Sequence, residues 1–172
     1  MDALQAMLTR KSIKKYKPDP VSKELIDQII EAGLNAPSGL NKQSPIIIAV
    51  TNKEVRDQLS KLNAGKDPFF RSDPFYGAPV VLVVLADKSV FTNVYDGSLV
   101  MENLQLAAHA LGLGACWIHR AKETFETEEG KAILKSLGIE GEYEGIGNCI
   151  VGYPDHDPDK KPRKEGRVYY ID

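Results

Sequence analysis

Four short apolar runs are spaced along this chain: Ile46 to Val50, Pro79 to Ala86, Ala115 to Ile118 and Asn148 to Tyr153. Their brevity constrains the fold more than any other feature. None shows the every-other-residue polarity of a strand with one wet face, so each reads as a strand covered on both faces. Helical patterns separate them. Asp2 caps a short first helix with Leu4, Met7 and Leu8 on one face. Ser22 caps a second, with Leu25, Ile26, Ile29 and Ile30 as its buried stripe and Gly33 as its stop. Asn52 opens a third, carrying Val55, Leu59 and Leu62. A long helix runs from about Val94 to Leu111, and its small residues suit close packing in the core or at a subunit interface. Thr127 caps one more, holding Ala132, Ile133 and Leu137 and stopped at Gly138. Short strands alternating with helices mean an α/β or α+β fold. No repeat or linker divides residues 1–172, which read as a single domain. The tail from 154 to 172 is polar and basic but finishes Val168-Tyr169-Tyr170-Ile171. That apolar end predicts docking, on the core or on a partner subunit, as an added edge strand.

Charge is unevenly placed. Arg10-Lys11-Ser12-Ile13-Lys14-Lys15-Tyr16 packs Arg10, Lys11, Lys14 and Lys15 around one hydroxyl, and Lys160, Lys161, Arg163 and Lys164 form a second basic group. Such a run is either a solvated face or an anion site. Arginine would supply a planar fork, lysine a point charge and serine a hydroxyl to a phosphate. Overall the net charge is −2 and the pI about 6.0, which argues against a general nucleic-acid or membrane-surface protein and for a small anionic ligand. No apolar run approaches the roughly 20 residues of a membrane helix. Asp2, Gln5 and Arg10 interrupt any signal core, so the expected location is cytoplasmic. Cys116 and Cys149 lie inside apolar runs and read as buried reduced thiols, and the three histidines lack metal-ligand spacing.

The loop Asn35-Ala36-Pro37-Ser38-Gly39-Leu40-Asn41-Lys42-Gln43-Ser44-Pro45 is dense in amides and hydroxyls, with a course fixed by glycine and proline. It reads as a ligand-holding loop or as an ordinary helix-to-strand turn. The segment Asn63 to Tyr76, with Phe69, Phe70 and Phe75, reads as a lid or as a packed surface loop. Gly112-Leu113-Gly114 and Gly145-Ile146-Gly147 fail the dinucleotide-fingerprint test, since each runs into a strand; they read as turn glycines. There is no phosphate-binding Walker loop, no nucleophile elbow and no paired acid and base. If the chain is an enzyme, a cofactor carries the reaction.

Three segments together resemble the FMN-dependent nitroreductases. Arg10 to Tyr16 is similar to the family's basic opening, Ala36 to Gln43 to its Pro-Ser-x-x-Asn-x-Gln loop, and Gly112 to Ile118 to the strand after its long helix, followed late by Lys161-Pro162-Arg163. The chain departs from the usual pattern at Ser44-Pro45 and at Lys11 and Lys14, where arginine is commoner. The resemblance implies an α+β three-layer sandwich with a mixed, mostly antiparallel sheet, forming an intertwined homodimer with FMN at the interface. It implies that Arg10, Lys11, Ser12, Lys14, Lys161 and Arg163 hold the phosphate and ribityl chain. Pro37, Ser38, Gly39, Asn41 and Gln43 of the second subunit would line the ring, and Cys116, Trp117 and Ile118 would approach its other side. The implied chemistry is ping-pong: NAD(P)H passes hydride to flavin N5, and a nitroaromatic, quinone or similar small acceptor then takes the electrons. No side chain need act as acid or base. A non-catalytic FMN-binding or sensory protein on the same scaffold is the alternative, and a different reduction, such as dehalogenation, is a third.

Overall fold

The strand β2, Val80–Asp87, is laid through the middle of the molecule. Its side chains alternate between two cores. Val80, Leu82, Val84 and Ala86 enter one; Val81, Val83 and Leu85 enter the other. All seven are closed to water, and each of the larger ones contributes about 1.5–3 kcal/mol by leaving it. The unbroken apolar run is thus a strand covered twice, as its pattern predicts. In this computed structural model, which describes residues 1–65 and 73–172, β2 pairs with β1 (Pro45–Val50) on one side and β4 (Tyr143–Gly152) on the other, and β3 (Gly114–Ile118) closes the order β1-β2-β4-β3.

All three pairings are antiparallel. The expected mixed sheet is therefore, among the described residues, wholly antiparallel, and the one parallel contact recorded is an isolated bridge between Ser12 and Ala115. Helices α2 (Lys23–Leu34) and α4 (Asn93–Ala110) cover the first core. Helices α3 (Lys53–Ala64), α5 (Ala121–Glu126) and α6 (Glu128–Ser136) cover the second. The result is a three-layer α+β sandwich. Asp2, Ser22, Asn52 and Thr127 cap their helices by accepting from the backbone N–H groups of Gln5, Leu25, Val55 and Gly130.

Several expectations are corrected. Gly33 is the penultimate residue of α2, at its end as expected, but in helical backbone rather than as a left-handed stop. A Cβ there would stand 2.6 Å from Leu104 Cδ2, so the glycine admits α4 rather than stopping a helix. β4 begins at Tyr143, ahead of the apolar run, and contains Gly145-Ile146-Gly147 instead of turning at them. A Cβ at Gly145 would overlap the Ala121 carbonyl at 2.3 Å, and one at Gly147 the Trp117 ring nitrogen at 2.4 Å. Both are close-approach glycines. Leu4, Met7 and Leu8 on α1 (Ala3–Thr9) form no part of this chain's core: all three are exposed, and only Ala6 of that helix is buried. The apolar tail end, Val168 to Ile171, is also exposed and forms no strand on its own chain. Helix α5 has no counterpart in the sequence reading. Phe75 is fully buried, packed rather than lid-like; Phe69 and Phe70 lie outside the described residues.

One irregularity positions α4. Between Val84 and Leu85 the register slips, so that Val84 faces Gly147 and Leu85 faces Gly145. Ile146 is the extra residue of a β-bulge. It enters the first core and meets Gly97 of α4, where a Cβ would lie 2.5 Å from its Cγ1.

Candidate functional site

The basic segment leaves α1 at Arg10 and runs beside β3 and β4. Ile13 N–H donates to the Ala115 carbonyl (3.0 Å), Lys17 N–H to Tyr153 (2.9 Å), and Asp155 N–H to Lys15 (3.0 Å). In such an extended stretch alternate side chains part company. Lys11 and Ile13 line a cavity of about 380 Å3 with His109, Leu113, His156 and Asp157, and Lys11 is ion-paired to Asp157. Arg10, Ser12 and Lys14 instead act together on the Cys116 thiol. Burial pushes that thiol's pKa up, while the Ser12 hydrogen bond and the charges of Lys14 and Arg10 pull it back without reversing the shift. Cys116 therefore stays a neutral thiol.

Arg10 is pre-oriented by α4, donating to Gln105 Oε1 at 3.3 Å and standing 3.5 Å from Glu102 Oε1. Ser12 is exposed. Lys14 is exposed too; it lies 5.5 Å over the Tyr76 ring and, among the described residues, has no carboxylate partner. The second basic group reaches this place through its first member, Lys160. Lys160 donates to the Leu8 carbonyl at the end of α1, whereas Lys161 and Arg163 lie further along the exposed tail. Burial of the imidazole, then the charges of Arg10, Lys11 and Lys160, hold the His109 pKa below its usual range, with Asp157 opposing. Thr9 Oγ1 gives its one proton to the Gln5 carbonyl, so it accepts from His109 Nε2–H at 2.8 Å.

The amide loop is built differently. It contains a 3-10 turn at Gly39–Asn41 that the sequence did not signal. Leu40 (φ 50°), Asn41 (φ 53°) and Gln43 (φ 49°) all sit in the left-handed region, which non-glycine residues avoid. Ser38 Oγ accepts from Gln43 N–H at 2.9 Å, and Gln43 Nε2 donates to Asn41 Oδ1 at 3.1 Å. Pro37, Asn41 and Gln43 are exposed, with a small cavity of about 140 Å3 between the loop and Val100. Within the chain Gly39 fits closely against Thr92, whose Oγ1 would lie 2.5 Å from an added Cβ.

In β3 the side chains of Cys116, Trp117 and Ile118 do not share one space. Cys116 and Ile118 belong to the second core and Trp117 to the first, as strand alternation requires. Among the described residues no hydrogen bond or ion pair joins the basic segment to the amide loop, and the cavities beside them have no residue in common. One chain thus offers two distinct surfaces: a cationic one able to hold a phosphate and an amide-rich one able to hold a polar ring edge. Among the described residues no group of His, Cys, Asp or Glu could hold a metal ion, and no helix is long and apolar enough to cross a membrane.

The nitroreductase family model matches residues 7–67 and 64–153. An archaeal protein of Archaeoglobus fulgidus, provisionally named NADH dehydrogenase/NAD(P)H nitroreductase, is 30% identical over 164 residues, covering 92% of this chain and 88% of its own. A protein of the same provisional name from Methanothermobacter thermautotrophicus is 36% identical over 126 residues, but the match spans 68% of this chain and 60% of that one. The crystal structure of a Bacteroides fragilis nitroreductase with bound FMN superposes with a TM-score of 0.89 at 25% identity, over the whole of both chains.

Proposed function

The chain belongs to the nitroreductase family, and on that premise we propose that it is an FMN-dependent NAD(P)H oxidoreductase that reduces a nitroaromatic, a quinone or a similar small acceptor. The observation that carries this reading is the alternate placing of Arg10, Ser12 and Lys14 along one extended segment, with Ser12 and Lys14 exposed and Lys14 unmatched by any carboxylate among the described residues. Cations gathered around an exposed hydroxyl fit a phosphomonoester. The amide groups of Asn41 and Gln43, exposed on a fixed loop, fit the pyrimidine edge of a flavin.

When bound, FMN would supply the redox chemistry between NAD(P)H and the acceptor. The protein's part is to bind and orient. Arg10 and Lys14 offset the phosphate charge, and Ser12 donates a hydroxyl hydrogen bond. Lys161 and Arg163 join them from the tail, and Lys11 does so if its pair with Asp157 opens. The neutral Cys116 thiol forms an uncharged wall and takes no part as a nucleophile.

Since no hydrogen bond, ion pair or cavity joins the two surfaces among the described residues, we infer that the site is completed across a homodimer, with Pro37, Ser38, Gly39, Asn41 and Gln43 coming from a second copy. Exposed apolar side chains support this assembly: Leu4, Met7 and Leu8 on α1, and Phe91, Val94, Tyr95 and Leu99 around the start of α4. The tail from 154 to 172 docks on that second copy through Val168 to Ile171.

The deciding experiment is an anaerobic titration of the purified protein, loaded with FMN, by NADH and NADPH. Rapid bleaching of the flavin absorbance is expected. A colourless protein that takes up no FMN would overturn the assignment. Bound flavin that neither nucleotide reduces would replace it with the sequestering or sensory reading.

A further inference from the structure

Asp96, in the first turn of α4, is a carboxylate only 3% exposed, and the binding scheme above gives it no role. We propose that Asp96 is a positioning residue for the flavin-facing loop, holding residues 38 to 43 in a backbone they would not keep alone and so setting where Asn41 and Gln43 stand. The inference rests on the FMN reading for what the loop faces, but not for how the loop is held.

Three independent observations converge on it. First, Leu40, Asn41 and Gln43 all occupy the left-handed region, and of these only asparagine is at ease there. Leu40 is 82% exposed, so its own packing does not fix it. Strain of this kind persists only where the surroundings over-determine it. Second, one carboxylate grips both ends of the strained run. Oδ1 accepts from Gly39 N–H at 2.9 Å; Oδ2 accepts from Thr92 Oγ1 at 2.9 Å and from Ser44 Oγ at 3.4 Å. Third, the platform beneath is closely fitted. Gly39 lies flush on Thr92, and the residue after Asp96, Gly97, lies flush on the bulged Ile146 of β4. The loop is thereby tied through α4 to the central sheet.

A purely local role for Asp96, as a negative charge in the first turn of a helix, predicts different behaviour. Asp96→Glu keeps the charge but displaces the oxygens by a methylene; it should preserve the helix and release the loop. Hydrogen exchange is measured on the cofactor-free protein for wild type, Asp96→Glu, Asp96→Ala and, as a stability control in the opposite core, Leu134→Ala. FMN affinity is then read by quenching of free flavin fluorescence, and the bound flavin by its visible circular dichroism and reduction potential. Both Asp96 variants should speed exchange at 39 to 44, weaken FMN by about tenfold or more, and shift the flavin spectrum and potential. Leu134→Ala should lower Tm without doing any of these. The proposal is overturned if the Asp96 variants lose Tm as Leu134→Ala does while exchange at 39 to 44 stays as in wild type. If wild type takes no FMN, the functional reading fails and the exchange measurement alone decides the positioning. Should Asp96→Ala not fold, Asp96→Asn, which keeps an oxygen for Gly39 N–H but loses an acceptor, is read by the same criteria.

Discussion

In the segment 10 to 17 the backbone is held by neighbouring strands, and the side chains of Ser12 and Lys14 stand exposed. In the loop 37 to 45 the side chains do the holding and the backbone is strained. The first borrows hydrogen bonds from Ala115 and Tyr153 and so needs no special residue to keep its course. Ser12 and Lys14 are then left exposed. The second meets the sheet only at its end, where the Ser44 carbonyl accepts from Asp87 N–H at 3.3 Å and β1 begins at Pro45. Its course comes from Asp96, Ser38 and Thr92, and what it exposes is a preset arrangement of amides. A charged group such as phosphate tolerates adjustable partners, because a cation attracts from many directions. A flat ring edge requires donors at fixed positions, and preorganisation is what a strained, over-determined loop supplies.

The sharpest way to break this contrast is at Gly39. Gly39→Val should abolish measurable FMN binding while far-ultraviolet circular dichroism stays that of the wild type, since the added side chain must displace Thr92. Overpacking of this kind costs about 1–3 kcal/mol. If the cause is Thr92, Gly39→Ala combined with Thr92→Ala should bind FMN better than Gly39→Ala alone. No rescue in titrations would mean that the ligand, and not Thr92, excludes the side chain.

On the other surface, Arg10→Ala should weaken FMN by about 1.5–3 kcal/mol, the worth of a charged hydrogen bond. The loss should shrink at high salt and be partly restored in Arg10→Lys. An affinity for FMN that isothermal titration finds unchanged would remove Arg10 from the site. Smaller still is Ser38→Ala, which deletes the acceptor for Gln43 N–H and should cost about 1 kcal/mol in affinity, with no salt dependence. A salt-sensitive loss there would erase the distinction between the two surfaces.

The mildest test is one of pH. Burial and neighbouring cations hold His109 below its usual value of 6.5. The unfolded chain therefore binds a proton that the folded chain resists. The stability this contributes is complete above pH 6.5 and is lost as pH falls through the lower folded value. In cofactor-free protein Tm should drop through that window, and His109→Gln should flatten the drop. Inorganic phosphate should lessen it, by offsetting Arg10, Lys11 and Lys160. A Tm profile indifferent to His109→Gln would contradict this.

The strand cores and the capped helices were legible because periodicity and caps are local signals. The basic opening and the amide loop were legible as types of residue, and the alternation of an extended chain then separates Lys11 from Arg10, Ser12 and Lys14. What stayed hidden depends on contacts distant in sequence. Leu40 and Gln43 carry no preference for the left-handed region, so nothing local announces their backbone. Asp96 looks like any polar residue at a helix start, although Thr92 four residues before it and an unusually rigid loop upstream were the available hints. The exposure of Leu4, Met7 and Leu8 was unreadable, since an apolar stripe does not say which chain covers it. The start of β4 was missed because Gly145 and Gly147 are there for Ala121 and Trp117, neighbours from elsewhere in the chain.

The extra residue at Ile146 sets the phase of the whole of β4. Downstream of it, odd-numbered positions such as Cys149 and Val151 enter the first core and Ile150 the second; upstream, Tyr143 packs with the second. The strand changes phase once, and the count of residues on either side of that point is part of its meaning. Removing a single residue between 143 and 147 would keep the composition nearly intact yet exchange inside for outside along the strand's first half. Length variation within this lineage should therefore gather in the turns around Gly138 and Gly141 and spare β4, whatever substitutions its individual positions accept.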